Sequence, residues 1–123
     1  MIKIKRVYEK PARTDGYRIL IDRLWPRGIK KTELPLHAWS RDLAPSNALR
    51  KAFAHDVRRW ERFRSVYRKE LHSAAAKKEI LLLAGLARKR QVTLLYSARD
   101  EEHNNAVVLL SIIQKALSAK HAR

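Results

Sequence analysis

The fold predicted for this chain depends on one segment, Tyr17–Gly28, which reads YRILIDRLWPRG. Its apolar residues favour a strand over Tyr17–Asp22, and their lack of clean alternation indicates a central strand covered on both faces. Charged side chains follow from Asp22 onward, and Pro26 and Gly28 end the regular structure. The segment therefore predicts a buried strand that delivers an acid and two arginines to a rigid loop.

The composition indicates a single soluble domain, residues 1–123. A chain of 123 residues fits one core, and 46% hydrophobic with 33% charged residues is typical of a globular protein. No apolar run reaches the roughly 18 residues of a membrane span, and no leader pattern is present, so the cytoplasm is the expected compartment. The absence of cysteine excludes disulfides, thiolate metal sites and cysteine nucleophiles.

The chain is strongly basic, with a net charge of +16 from 28 lysines and arginines against 12 acidic residues. Such a field attracts polyanions, which include nucleic acid, anionic metabolites and anionic membrane surfaces. A solvated arginine-rich surface without a particular partner explains the charge equally well, because charge alone gives no specificity.

Hydrophobic periodicity predicts the other elements. A first strand is expected near Ile2–Arg6 and a third over Gln91–Tyr96. Ile29–Trp39 is predicted to be a short helix or an irregular segment. Helices are expected over Asn47–Phe53 with Ser46 as N-cap, Val57–His72, Ala74–Lys89 with Ser73 as N-cap, and Glu101–Ala119 capped by Asp100. Strands separated by helices predict an α/β sandwich, a short and mainly parallel sheet of about three to four strands flanked by helices.

Polar side chains follow two of the predicted strands. Ligands in open α/β sheets bind beyond the carboxyl ends of the strands, so these groups converge if the two strands are parallel neighbours. Arginines, a hydroxyl and a helix start suit a phosphate or a carboxylate. The expected ligand-binding residues of this small-anion site are Arg23, Trp25, Arg27, Ser97, Arg99 and Asn104.

Two residues are the catalytic candidates at this site. Asp22 would act as a base or an orienting acid, and His103 as a general acid. A carboxylate that pins a neighbouring group and a histidine that packs are the commoner roles of these residue types. A purely structural alternative places Asp22, Arg23, Asp42 and Arg99 in one buried salt-bridge network that fixes the fold.

A second hypothesis uses the helix over Val57–His72 as a nucleic-acid-binding surface. Its cations would contact phosphates together with the basic tail, Lys120–Arg123. Arginines focused in a cleft would favour the small-anion site, whereas a wide basic face would favour nucleic acid. The cations of this hypothesis are Arg58, Arg59, Arg62, Arg64, Arg68 and Lys69.

The sequence predicts no metal site and no cofactor. The five histidines are scattered without close ligand spacing, and three glycines cannot form a glycine-rich phosphate loop. Catalysis, substrate and oligomeric state are left open by these patterns.

Four motifs carry a family resemblance. They are DGYRILIDRLWPRGIKK (Asp15–Lys31), WSRDLAPSNALRKAF (Trp39–Phe53), WERFRSVYRKEL (Trp60–Leu71) and TLLYSARDEEHNNAVVL (Thr93–Leu109). Together they resemble the YeaO-like family, a group of small bacterial proteins of uncharacterised function, over almost the whole chain. The resemblance implies a compact α/β domain but no substrate, cofactor or reaction.

Overall fold

The computed structural model describes residues 1–121, which form one four-stranded sheet and four α-helices. The sheet is entirely parallel, in the order β1-β4-β2-β3, and this confirms the predicted α/β class. The strands are β1 (Ile2–Arg6), β2 (Tyr17–Leu20), β3 (Ala38–Trp39) and β4 (Val92–Tyr96). The helices are α1 (Asn47–Phe53), α2 (Trp60–Glu70), α3 (Ala74–Lys89) and α4 (Asn105–His121).

All four helices contribute to a single core on one face of the sheet. Side chains alternate along a strand, so Ile19 and Leu94 both point to this face and pack with residues of every helix. Leu20 and Leu95 point the other way, into a second cluster with Leu34. The irregular connection between β2 and β3 covers that second face, because its prolines and glycine prevent a helix there.

A buried ion cluster lies on the second face of the sheet. Asp15 is 0% exposed, and its carboxylate pairs with Lys3 at 3.2 Å, Lys5 at 3.0 Å and Arg18 at 2.5 Å. Burial alone would raise the pKa of Asp15, but hydrogen bonds from the Ala12 N–H and the three cations hold it well below its ordinary value. Asp15-Gly16 is a dipeptide typical of turns, and this local pattern does not indicate the ion cluster.

Gly16 makes the turn that leads from this cluster into β2. Its φ is +62°, and a Cβ there would lie 2.2 Å from the carbonyl oxygen of Gln91. That carbonyl accepts the N–H of Tyr17 at 2.9 Å, so close backbone contact starts the pairing of β2 with β4. Only glycine fits this position without displacing β4.

Two helices have the predicted bounds. α1 and α3 begin after Ser46 and Ser73, whose hydroxyls accept the backbone N–H groups of Leu49 at 3.1 Å and Ala76 at 3.2 Å. The predicted helix over Val57–His72 is divided, because residues 57–59 form a 3-10 turn and α2 starts only at Trp60.

The predicted start of the last helix at Glu101 is wrong. The Asp100 carboxylate accepts the N–H groups of Glu102 at 2.9 Å and His103 at 3.0 Å, which fixes a bend instead of a helical turn. The side chain of Asn104 accepts the N–H of Val107 at 3.0 Å and caps α4 in place of Asp100.

α4 extends into the predicted basic tail. Residues 122 and 123 of that tail lie outside the part of the chain that the structure describes. Within residues 1–121, no helix has both the length and the apolar character needed to cross a membrane.

Candidate functional site

Asp22 joins the ends of β2 and β4 to the start of α4. One carboxylate oxygen accepts the backbone N–H of Ser97 at 2.9 Å and its hydroxyl at 2.7 Å. The other accepts the amide of Asn105 at 3.0 Å, and the same amide donates to the carbonyl of Ile21 at 2.9 Å. The structure thus brings Asp22 and Ser97 together as expected from parallel neighbouring strands.

The Asp22 network is built from neutral donors rather than arginines. Among residues 1–121, no ion pair joins any two of Asp22, Arg23, Asp42 and Arg99, so the predicted salt-bridge network is wrong. Asn105 contacts Asp22 where the sequence predicted an arginine. The one feature of the sequence that marks Asn105 is that it is a polar residue in a first helical turn that is otherwise apolar. Both oxygens of Asp22 are engaged, which suits an orienting role, and its catalytic role stays a prediction.

Arg23 clamps the loop that precedes α1. Its Nε donates to the carbonyl of Pro45 at 2.9 Å, and its Nη2 donates to those of Arg41 at 3.1 Å and Ala44 at 3.4 Å. Arg27 and Arg99 are exposed instead, and no contact joins them to Asp22 within the described chain. The three predicted anion clamps therefore have different surroundings, and their ligand-binding role remains a prediction.

Two tryptophans support this end of the sheet. Trp25 donates its indole N–H to the carbonyl of Ile29 at 2.6 Å, and Trp39 donates to the carbonyl of Asp22 at 2.7 Å. The two rings meet edge to face at 5.5 Å, and the guanidinium of Arg41 lies over Trp39 at 4.0 Å from the ring centre. Trp25 accordingly packs within the second core cluster.

An open depression of about 370 Å³ lies beside the Arg23 clamp. Its lining combines two guanidinium groups, two carboxylates and two hydroxyls, from Arg23, Arg41, Asp42, Glu70, Ser46 and Ser73, together with Ala44. The carboxylate of Glu70 is already engaged, because it accepts the N–H of Ser46 at 2.8 Å and its hydroxyl at 2.6 Å. Among the described residues, no hydrogen bond or ion pair engages the side chains of Arg41 and Asp42, so these two exposed groups keep free hydrogen-bonding capacity at the depression.

Tyr67 anchors the loop beneath this depression. Its buried hydroxyl donates to the carbonyl of Leu43. Burial, followed by the nearby carboxylates of Asp22 and Glu70, raises the pKa of Tyr67 far above its ordinary value, so the hydroxyl keeps its proton.

His103 lies in the bend before α4. Its Nδ1 is 2.9 Å from the carboxylate of Asp100, and its ring meets Trp60 edge to face at 5.2 Å. Hydrogen bonds from the backbone N–H of Glu102 and from His103 lower the pKa of Asp100. A carboxylate beside an imidazole orients the ring, and the general-acid role of His103 stays a prediction.

The cations of α2 and the preceding turn form a basic face. Arg58 and Arg59 pair with Asp56 at 3.0 and 3.7 Å, and Arg64 pairs with Glu61 at 2.9 Å. Arg62 and Lys69 are exposed, and no carboxylate within residues 1–121 lies at ion-pair distance from either. Arg68, the remaining predicted cation, is partly buried.

In the part of the chain that the structure covers, no three His, Asp or Glu side chains are grouped closely enough to hold a metal ion. The two carboxylates at the depression, Asp42 and Glu70, are not joined there by a third ligand of this kind.

The whole chain matches one protein family. Residues 1–123 match the family described as "Inactive DUF488-N3 subclade". The chain belongs to this family.

Curated relatives of similar length support the membership. The chain is 50% identical to "Uncharacterized protein YeaO" of Escherichia coli K12 over 108 residues, which cover 88% of this chain and 92% of the relative. It is 37% identical to "Uncharacterized protein Rv3073c" of Mycobacterium tuberculosis H37Rv over 112 residues, 91% and 92% of the two chains. The predicted YeaO-like resemblance is confirmed, and no solved structure matches the chain significantly.

Proposed function

We propose that this protein binds nucleic acid without catalysing a reaction, through the exposed face of α2. The observation that carries the proposal is a pair of exposed cations on one side of this helix. Arg62 and Lys69 lie seven residues apart within α2, and no carboxylate within residues 1–121 lies at ion-pair distance from either. Residues at this spacing share one face of a helix, so the two cations lie about 10 Å apart along its axis. Arg58, whose side chain is 89% exposed, precedes them in the 3-10 turn and pairs with Asp56.

The spacing of this pair suits a duplex or an extended strand. At about 3.4 Å per nucleotide, about 10 Å spans roughly three base pairs of duplex. The net charge of +16 adds a long-range attraction that brings any polyanion to the surface. Sequence-independent contact with the phosphate backbone is the mode that such a pair of cations provides.

Binding without catalysis is supported by the surroundings of Asp22. Its two carboxylate oxygens accept three hydrogen bonds from Ser97 and Asn105, which leaves the group committed to holding the strand ends. The matching family carries the word "inactive" in its description, which is compatible with a binding role for this chain.

The direct test is fluorescence anisotropy with a labelled duplex and a labelled single strand over a range of salt concentrations. We expect binding at low salt and a linear fall of log K with log salt. The double variant Arg62→Gln/Lys69→Gln should lower the slope for duplex by about 2, because each lost phosphate contact removes about 0.9.

The matched control is Lys77→Gln/Lys78→Gln on α3, which removes the same charge from exposed positions elsewhere. It should leave the salt slope unchanged. Equal weakening by the two double variants would show that net charge alone drives the association. Absence of binding at low salt would refute the proposal outright.

A second candidate function is the binding of a small phosphorylated anion in the depression beside Arg23. It is supported by the two guanidinium groups and the hydroxyls of Ser46 and Ser73 around one open volume. Of the predicted ligand-binding set only Arg23 lines this depression; the other members, Trp25, Arg27, Ser97, Arg99 and Asn104, lie outside its lining.

Thermal-shift measurements with inorganic phosphate, nucleoside monophosphates and sugar phosphates test this second candidate. Arg41→Gln is the informative variant, because Arg41 is exposed and its loss spares the Arg23 clamp. We expect a rise in melting temperature that Arg41→Gln abolishes and that Arg27→Gln, a change at another exposed arginine, preserves. A rise that both variants preserve would place the anion elsewhere.

A further inference from the structure

Two adjacent leucines on α3 project into solvent. Leu81 is 69% exposed and Leu82 is 63% exposed, and neither belongs to the core clusters. The buried side of α3 is formed by other residues, among them Ile80, Leu83 and Ala87. The exposed pair therefore contributes nothing to the packing of this helix on the sheet.

Cations surround these leucines on the solvent face of α3. At 3.6 residues per turn, the two leucines and four exposed cations fall within an arc of about 140°. The nearby Gly85 and Ala74 fall within the same arc and add no polar group. The only acid of the helix, Glu79, lies outside this arc and is half-buried. The four cations are Lys77, Lys78, Arg88 and Lys89.

We propose that this face, the α3 leucine face, docks on an anionic lipid bilayer surface. Leucines flanked by cations and free of acids are the pattern of helices that lie in a membrane interface. Lysine and arginine are attracted to anionic headgroups, while the leucines reach the boundary of the acyl chains. The remaining residues of this face, Ala74 and Gly85, are small and form no shaped surface that a protein partner would recognise. A bilayer surface needs no such shape complementarity.

The other occupants of such a face fit it less well. The phosphates and sugars of a nucleic-acid duplex offer little apolar surface to Leu81 and Leu82. A second copy of the chain would bring two sets of four cations together, and the net charge of +16 on each copy opposes that contact. The cations therefore select an anionic partner, and the exposed leucines favour a bilayer over a duplex.

Vesicle sedimentation of the full chain tests the proposal. The vesicles contain phosphatidylcholine alone or phosphatidylcholine mixed equally with phosphatidylglycerol. We expect binding to the anionic vesicles only, about tenfold weaker in Leu81→Ser/Leu82→Ser, and weaker by at least an equal factor in Lys77→Gln/Lys78→Gln. Both variants change exposed residues, and their circular dichroism and melting temperature should match those of the unchanged chain.

The control is Arg62→Gln/Lys69→Gln on α2, which carries the same net charge as Lys77→Gln/Lys78→Gln. It should reduce vesicle binding much less than the α3 variant. The proposal is overturned if Leu81→Ser/Leu82→Ser binds vesicles as well as the unchanged chain, or if the two charge variants weaken equally. It is also overturned if Leu81→Ser/Leu82→Ser instead dissolves a dimer seen by gel filtration.

Since the chain has no cysteine, a single label can report on the orientation of α3. Ala74→Cys lies on the α3 leucine face and Ser65→Cys lies on the exposed side of α2. An environment-sensitive fluorophore should shift to shorter wavelength on anionic vesicles at position 74 and stay unshifted at position 65. A shift at position 65 alone would assign the membrane contact to α2 and refute the proposal for α3.

Discussion

Replacing Asp15 by asparagine is the substitution whose effect the structure defines most closely. Asparagine keeps the size of the side chain but removes the charge that three cations share. Arg18 and Lys5 have side chains that are only 5% and 13% exposed, so both depend on this carboxylate. Among the described residues, Nη2 of Arg18 is already buried without a hydrogen-bond partner.

The magnitude follows from the burial of the three partners. Removing one member of a buried ion pair costs about 3–5 kcal/mol, because the remaining charge is left uncompensated. Lys3 is 40% exposed and adds no more than about 1 kcal/mol, since water screens it. An unfolding entropy of about 2.1 cal/mol/K per residue converts 3–5 kcal/mol into a fall in melting temperature of about 12–19 °C for 123 residues.

Differential scanning calorimetry and urea unfolding measure this loss. The matched control is Asp56→Asn, which removes a carboxylate that pairs with two arginines at the surface. The side chains of these arginines, Arg58 and Arg59, are 89% and 55% exposed. Asp56→Asn should leave the melting temperature nearly unchanged. Added salt should reduce any loss of stability that Asp56→Asn causes. It should leave the loss caused by Asp15→Asn unchanged, because buried ion pairs are poorly screened by salt.

A small effect would refute the reasoning. If Asp15→Asn lowers the free energy of unfolding by less than about 1 kcal/mol, the cluster behaves as a surface ion pair. The double variant Asp15→Asn/Arg18→Met separates the causes, because removing the orphaned charge should restore part of the lost stability. A double variant less stable than the sum of the single changes would contradict the assignment of Arg18 as the stranded cation.

Three further predictions concern the stability in acid, the Asp22 network and the residue that caps the C-terminus of α1. The pKa of Asp15 is lower in the folded chain than in the unfolded one, so the unfolded state binds more protons in acid. The free energy of unfolding should therefore fall as the pH drops below about 4, the ordinary pKa of an aspartate. Urea titrations at several pH values would check this, and Asp15→Asn should reduce the dependence to the part that comes from other carboxylates with a lowered pKa, such as Asp100. Ser97→Ala removes the hydroxyl that donates to Asp22 at 2.7 Å and should cost about 1.5–3 kcal/mol by urea unfolding, whereas Ser65→Ala at an exposed site should cost far less. Ala54 caps the C-terminus of α1 with a φ of 47°, a left-handed conformation that is strained for alanine and not for glycine. Ala54→Gly should therefore raise the free energy of unfolding by about 1 kcal/mol, as measured by urea unfolding. Unchanged or lower stability would contradict the strain assigned to this residue.

Local patterns were sufficient for the elements whose ends are set by neighbouring residues. α1 and α3 have the predicted bounds because a serine hydroxyl accepts an N–H three residues ahead, which the sequence displays directly. The start of α4 was mispredicted because Asp100 and Asn104 are both good capping residues. The choice between them depends on Asn105, whose amide reaches Ile21 and Asp22 on another element.

The candidate site was predictable only in part. Parallel strands end at one edge, so the meeting of Asp22 with Ser97 follows from the strand assignments. The surroundings of the arginines do not follow in this way. The clamp of Arg23 on Pro45 and the stacking of Arg41 on Trp39 require the path of the irregular loop, which has no periodic signal.

The α/β class, the family and the excess of positive charge can be read from the amino-acid sequence, because they depend on periodicity, motifs and composition. Which charges are buried and which are available to a partner depends on the three-dimensional fold. Asp15 meets Lys3 and Lys5 only because β1 and β2 lie on either side of β4 with their side chains on one face. The amide of Asn105 reaches Asp22 across 83 residues of chain. Such contacts depend on strand order and register, which no local pattern in the chain specifies.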